Sequence, residues 1–288
     1  MRMSLDDRIR KDLAELYNGG ATPGDITNAL LLDGLVHAEK GQRSFATRAL
    51  PSYYGGNRKA RTIMVMLNPG CSVEKANQGL MNEIEKRSMT NANDLNKYHE
   101  YCVDYGHKDK DRQDNFDLKQ AFFLHRWEDT GISLPNHLSH DSDSQTLLDA
   151  KEIVLTQKFA LELIPYASRN ISRFNPKKIH LLVPFVETLF DEIFSHDRKY
   201  VIFASRLFND VFKVYNKTYP NTICFDRRVS FGKIGDSNIC GTCNVITIHH
   251  NNKDMKAIIA NTFPSQALPN AYSLMEMYGE LCYKEYIK

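Results

Sequence analysis

With 288 residues, 42% apolar and 10% aromatic, the chain can bury a substantial core, and one domain carrying insertions is expected. Its 37 Lys and Arg against 35 Asp and Glu leave a formal charge of +2, which excludes a uniformly basic nucleic-acid coat and requires any DNA-binding surface to be a local patch. No run approaches the roughly 18 to 20 consecutive apolar residues of a membrane span, and the opening MRMSLDDRIRKDLAEL lacks a signal-peptide core, so the chain is expected in the cytosol and away from membranes.

Helical periodicity opens the chain over residues 5–17 and returns over 25–38, with Asn18-Gly-Gly-Ala-Thr-Pro-Gly as the break. Thr62-Ile-Met-Val-Met-Leu is an uninterrupted apolar run with Arg-Lys-Ala-Arg before it and Asn-Pro-Gly after it. That is the pattern of a buried parallel strand ending in a loop. From residue 72 to about 150 the chain is polar and helix-like, apart from Ala121-Phe-Phe-Leu, and is read as a helical insertion. Phe159-Ala-Leu-Glu-Leu-Ile-Pro predicts a second strand and Tyr200-Val-Ile-Phe-Ala a third, with Asn244-Val-Ile-Thr-Ile-His and Ala257-Ile-Ile-Ala as further strands. Helical stretches at 186–194, 207–215 and 271–286 alternate with them, which predicts a parallel sheet covered on both faces. In such sheets the working loops gather at the carboxyl ends of the strands.

Six cysteines stand at 71, 102, 224, 240, 243 and 282, and without an export signal they are expected as reduced thiols. Cys240 and Cys243 form a C-x-x-C pair, but a structural zinc site wants a second pair or two histidines at ligand spacing. His249 and His250 do not supply it, because neighbours on an extended segment point to opposite faces. No metal is expected.

Three segments carry candidate chemistry. Asn68 is presented at the end of the first strand on a turn set by Pro69 and Gly70, although Asn-Pro-Gly alone is a common turn. Glu162 is a single carboxylate in an apolar strand; such a group is costly unless paired or hydrogen-bonded, so it either meets a structural cation or an unburied face, or else faces a polar ligand. The run from Ala260 to Tyr272 leads a strand into a Pro-Ser-x-x-x-Pro loop and then a helix, where backbone N–H groups and the Ser265 hydroxyl would cradle a phosphate.

Together these segments resemble the uracil-DNA glycosylase superfamily, most closely its single-strand-selective monofunctional branch. That branch carries Gly-Met-Asn-Pro-Gly, against Met66-Leu-Asn-Pro-Gly here. It carries Asn-Leu-Cys-Pro, against Glu162-Leu-Ile-Pro, and His-Pro-Ser-x-x-x-Pro, against Phe263-Pro-Ser-x-x-x-Pro. The resemblance covers about residues 60–70 and 155–285 and omits the insertion and most of the N-terminus. It implies a three-layer α/β/α sandwich with a central, mainly parallel sheet, N-terminal helices over about 1–58 and a helical insertion over about 72–150, all in one domain. It also implies a monomeric, monofunctional DNA glycosylase that needs no cofactor. Asn68 would orient the attacking water, and Pro264, Ser265 and Gln266 would hold the DNA phosphate. Phe263 replaces the histidine that stabilises the departing base, and Glu162 replaces the asparagine that reads uracil.

An ionised Glu only accepts hydrogen bonds, so it would repel O4 of uracil and welcome the exocyclic amine of cytosine. A buried Glu with a raised pKa would also share a proton with the base N3 as the bond breaks. Plain cytosine is ruled out as a substrate because its removal would destroy the host genome. The small residues after the Asn-Pro-Gly loop, Cys71, Ser72 and Val73, leave space at the C5 edge for hydroxymethyl or an attached sugar. The expected partner is therefore DNA with a flipped, C5-modified cytosine such as phage 5-hydroxymethylcytosine or its glucosylated form. Alternatives are a uracil or 5-hydroxymethyluracil repair glycosylase, a non-catalytic nucleic-acid module, and a small-molecule nucleotide-binding α/β protein.

Overall fold

The computed structural model describes residues 3–17, 24–78, 95–104, 115–134, 144–169, 171–263 and 272–288. Its strands are β1 (Tyr54–Gly56), β2 (Thr62–Met66), β3 (Lys158–Glu162), β4 (Tyr200–Phe203), β5 (Ile223–Lys233), β6 (Cys240–His250) and β7 (Lys253–Ala260). They form one sheet in the order β1-β3-β2-β4-β7-β6-β5. β3, β2, β4 and β7 are mutually parallel, while β1 lies antiparallel on one edge and the β5–β6 pair antiparallel on the other. The expected parallel sheet is thus the centre of a mixed one. β2 is buried along its whole length, as a strand covered on both faces must be.

The helices are α1 (Leu5–Leu16), α2 (Thr27–Leu31), α3 (73–78), α4 (Leu95–Asp104), α5 (Asn115–Leu124), α6 (Ser144–Gln157), α7 (Val183–Phe194), α8 (Phe208–Thr218) and α9 (Tyr272–Ile287). Side chains of α1, α2, α7 and α8 pack with Ile63, Val65, Phe159 and Leu161 on one face of the sheet. Those of α5 and α9, with Ala150 of α6, pack with Met64, Met66 and Ile202 on the other. Three layers result. The helix expected over 25–38 ends at Leu31, because Gly34 turns the chain at φ +77° and Asp33 accepts from the Ser44 N–H at 2.8 Å. The N-terminal region expected to be helical also supplies the edge strand β1.

The described part of the 72–150 segment is integral to the core: α5 and Ala150 of α6 share one layer with α9, and α4 packs on the opposite face. α5 crosses α9 so closely that a Cβ on Gly279 would collide with the Phe123 carbonyl, and the Trp127 indole N–H donates to the Gly279 carbonyl at 3.0 Å. Among the described residues no helix is long and apolar enough to cross a membrane.

Candidate functional site

β2 is flanked by β3, the next parallel strand in the chain, and on its other side by β4, so the direction of winding reverses at β2. Ligands of open α/β sheets bind outside the carboxyl ends of the strands at such a point, and Asn68 lies two residues beyond the end of β2. One row of the sheet aligns Val65 with Leu161 and Phe203, and Phe203 with Ile259. Glu162 stands one residue beyond that row, Asn68 three and Phe263 four. All three therefore occupy the same edge, although β3 and β7 are three strand spacings apart, about 14 Å.

The loops after β2 and β3 are zipped together. Leu163 and Ile164 N–H donate to the Met66 and Leu67 carbonyls, both at 2.9 Å; Ser168 N–H donates to Pro69 O at 3.2 Å and Cys71 N–H to Ser168 O at 3.0 Å. Within this frame the Asn68 amide donates from Nδ2 to Pro69 O and to Ser168 Oγ, both at 2.8 Å. With both N–H groups engaged, the orientation of the amide is set, and Oδ1, an acceptor only, is its remaining polar atom. Ser168 is buried, and the sequence reading did not single it out.

Glu162 is half-buried, with Oε2 enclosed and its backbone N–H donating to Tyr53 O at 3.0 Å. Its register with Met66 puts it on the sheet face covered by α5 and α9. Cys71 and Ser72 are also half-buried, and the Ser72 hydroxyl caps α3 by accepting from Lys75 N–H at 3.2 Å. Phe263 is 1% exposed, meets Phe123 edge-on at 5.3 Å and also borders a cleft. It packs there because the strand that precedes it delivers its ring into the α5–α9 layer. Pro264, Ser265 and Gln266 lie outside the described residues.

Beside Phe263 opens a cleft of about 1060 Å³ at the carboxyl ends of β4 and β7, walled on its far side by β5 and β6. Arg173, Arg206, Lys213 and Arg228 line it against a single carboxylate, Asp210. A relay of amides runs along its wall, with Asn209 Nδ2 donating to Asn261 Oδ1 and Asn261 Nδ2 to Asn244 Oδ1, each at 2.7 Å. The four cations make it a local basic patch in a chain of near-zero net charge. No short motif marks it, because its residues come from five separate segments.

The remaining sequence candidates resolve by face. Cys240 is exposed and Cys243 is buried, as three-residue spacing on β6 requires. Among the described residues no group of three or more metal-ligating side chains forms a site. No protein-family model, curated protein or solved structure matches the chain.

The loop that holds Asn68 is braced from below by a buried carboxylate. Asp12 of α1 is 0% exposed and its Oδ2 accepts from the hydroxyls of Tyr53 and Tyr166, both at 2.6 Å, while Asn28 donates to Oδ1 at 3.2 Å. Burial pushes the Asp12 carboxyl up to about 6 against the partly offsetting hydrogen bonds. A raised acid favours the folded state in its protonated form, so this contribution is complete below about 4 and is lost as pH rises through about 6. Two pH units correspond to about 3 kcal/mol. The unfolding free energy of wild type minus that of Asp12→Asn is therefore expected to fall by that order between pH 4 and 7. Denaturant melts at each pH measure it, and a flat difference would show that Asp12 titrates alike in both states.

Proposed function

We propose that this chain is a monofunctional DNA glycosylase that flips a C5-modified cytosine out of DNA and hydrolyses its bond to the sugar. The observation that carries the reading is the pinned Asn68 amide, offering Oδ1 at the switch point of the sheet one strand away from Glu162. A water accepted there attacks C1′ of the sugar, the bond from C1′ to the base nitrogen breaks, and the sugar keeps the hydroxyl as an abasic site. Glu162 accepts from the exocyclic amine of the base and shares a proton with N3, which neutralises the charge that builds on the departing ring. The half-buried Cys71 and Ser72 leave room at C5 for a hydroxymethyl group or an attached sugar. That specificity suits defence against phages with modified cytosine, carried out in the cytosol by a monomer.

The direct test is to incubate the protein with genomic DNAs bearing cytosine, 5-hydroxymethylcytosine or its glucosylated forms, and with uracil-containing DNA, and to identify released bases by mass spectrometry. Release of modified cytosine supports the proposal, and release of uracil alone would replace it with a repair role. Phe263 favours a second reading, a binding module without chemistry, because its buried ring stands where the resembling family has a histidine. DNA binding without release of any base would establish that reading.

The basic cleft supplies the strand path in either case. Reversing Arg206 and Arg228 to Glu is expected to weaken DNA binding at least tenfold at low salt, equally for all sequences. It should also reduce the slope of log K against log salt by about 2, since each phosphate contact contributes about 0.9. Fluorescence anisotropy at several salt concentrations measures both. An unchanged slope would take the cleft out of the strand path.

A further inference from the structure

At the opposite end of β7 from the candidate site, a two-residue turn joins β6 to β7. Asn251 and Asn252 both take positive φ, 50° and 59°, the conformation of the tight hairpin turn whose twist matches that of its strands. The turn sets His250 opposite Lys253 and His249 opposite Asp254. His249 spends its backbone N–H on Thr222 O of the segment before β5, at 2.8 Å, so toward β7 it forms the kind of pair whose side chains approach most closely. His249 Nδ1 and Asp254 Oδ1 are 2.6 Å apart. A carboxylate only accepts, so the proton lies on Nδ1 and the Nε2 lone pair points away from it. On that side, 3.4 Å away, is the sulfur of Cys224, placed diagonally across the β5–β6 ladder by its pairing with Thr247.

Cys224 is exposed and His249 is 40% exposed, so a small reagent reaches the sulfur without any opening of the fold. His250, the next residue, faces inward to Asp191 at 2.7 Å and takes no part. The three groups have the order of an activated nucleophile: thiol, base, and a carboxylate that orients the base. They are also remote from Asn261, roughly 23 Å along β7 at about 3.3 Å per residue.

We infer that Cys224, His249 and Asp254 form a nucleophilic thiol site, separate from the candidate base-excision site, that takes up small disulfides as mixed disulfides. His249 Nε2 accepts the thiol proton, and Asp254 steadies the imidazolium through Nδ1. The sulfur of Cys224 attacks one sulfur of the disulfide, a new S–S bond forms, and the old one breaks. The second sulfur leaves with the electron pair and takes the proton from His249. The cysteine is oxidised, the leaving thiol is the reduced product, and no other oxidant is needed. The inference does not depend on the glycosylase reading.

The test uses the full chain with hydroxyethyl disulfide, acid quenching and peptide mass mapping. Cys224 is expected to form its adduct about tenfold or more faster than Cys240, which is also exposed. His249→Gln should bring the Cys224 rate down to that of Cys240, with Asp254→Asn, at an exposed position, lowering it by a smaller factor. Melting temperatures confirm that the variants fold, and the Asp254→Asn result stands even if His249→Gln does not. Equal rates at Cys224 and Cys240 in wild type, or a Cys224 rate within twofold of wild type in the variants, would overturn the inference.

Discussion

Replacing Asn68 with alanine is expected to remove base release while leaving DNA binding within a few-fold of wild type. The amide is anchored at both N–H groups, to Pro69 O and Ser168 Oγ, so in the proposed reaction it would hold Oδ1 still for a water. Placement of a nucleophile matters in the transition state and contributes little to the ground-state complex. A preorganised polar group acting in the transition state is worth about a hundredfold to a thousandfold in rate. Single-turnover release of the base, read beside anisotropy on the same DNA, separates the two effects. Ser168→Ala gives the graded control: it keeps Asn68 but frees one of its two tethers, so the rate should fall by less than in Asn68→Ala. Equal losses of binding and turnover would make Asn68 a binding residue, and no loss of turnover would remove it from the chemistry.

Sequence pattern exposes the residues whose surroundings are uniform and hides those defined by partners. The apolar runs at 62–67, 159–165 and 200–204 are visible because β2, β3 and β4 are covered on both sides of the sheet, where only burial decides residue type. Asn68 stands out as a polar group just past the end of such a run and Glu162 as one inside it. β5 escapes the same reading because its residues alternate between partial burial and exposure, with Asp226, Arg227 and Arg228 in its middle. β1 is three residues with two glycines and exists only because β3 offers it an edge. Ser168 binds Asn68 across 100 residues of chain, and the Asn209–Asn261–Asn244 relay joins α8, the end of β7 and β6. Neither has a local signature. Phe263 is likewise defined by its partners: its ring joins the packing of α5 and α9 and borders the basic cleft, neither of which its motif shows.

Exchange of Glu162 for asparagine is expected to shift base preference away from modified cytosine. The carboxylate is half-buried at the carboxyl end of β3, in register with Met66 and two residues short of the level of Asn68. In the proposed complex it would meet the edge of a pyrimidine flipped beside Asn68. Cytosine presents an amine at C4, which a carboxylate accepts from; uracil presents an oxygen, which it repels. Asparagine restores an N–H donor, so release of modified cytosine should fall while release of uracil or 5-hydroxymethyluracil rises. A base contact worth about 1 to 3 kcal/mol predicts roughly a tenfold to hundredfold change in the ratio of the two rates. Glu162→Gln separates reading from proton transfer: it nearly preserves shape and volume but cannot share a titrating proton with N3, so it should slow release more than it weakens binding. Both variants are measured in single turnover on paired oligonucleotides that differ only in the target base. If both cleave modified cytosine at the wild-type rate, Glu162 neither reads the base nor protonates it, and the assignment of a cytosine-type substrate falls with it.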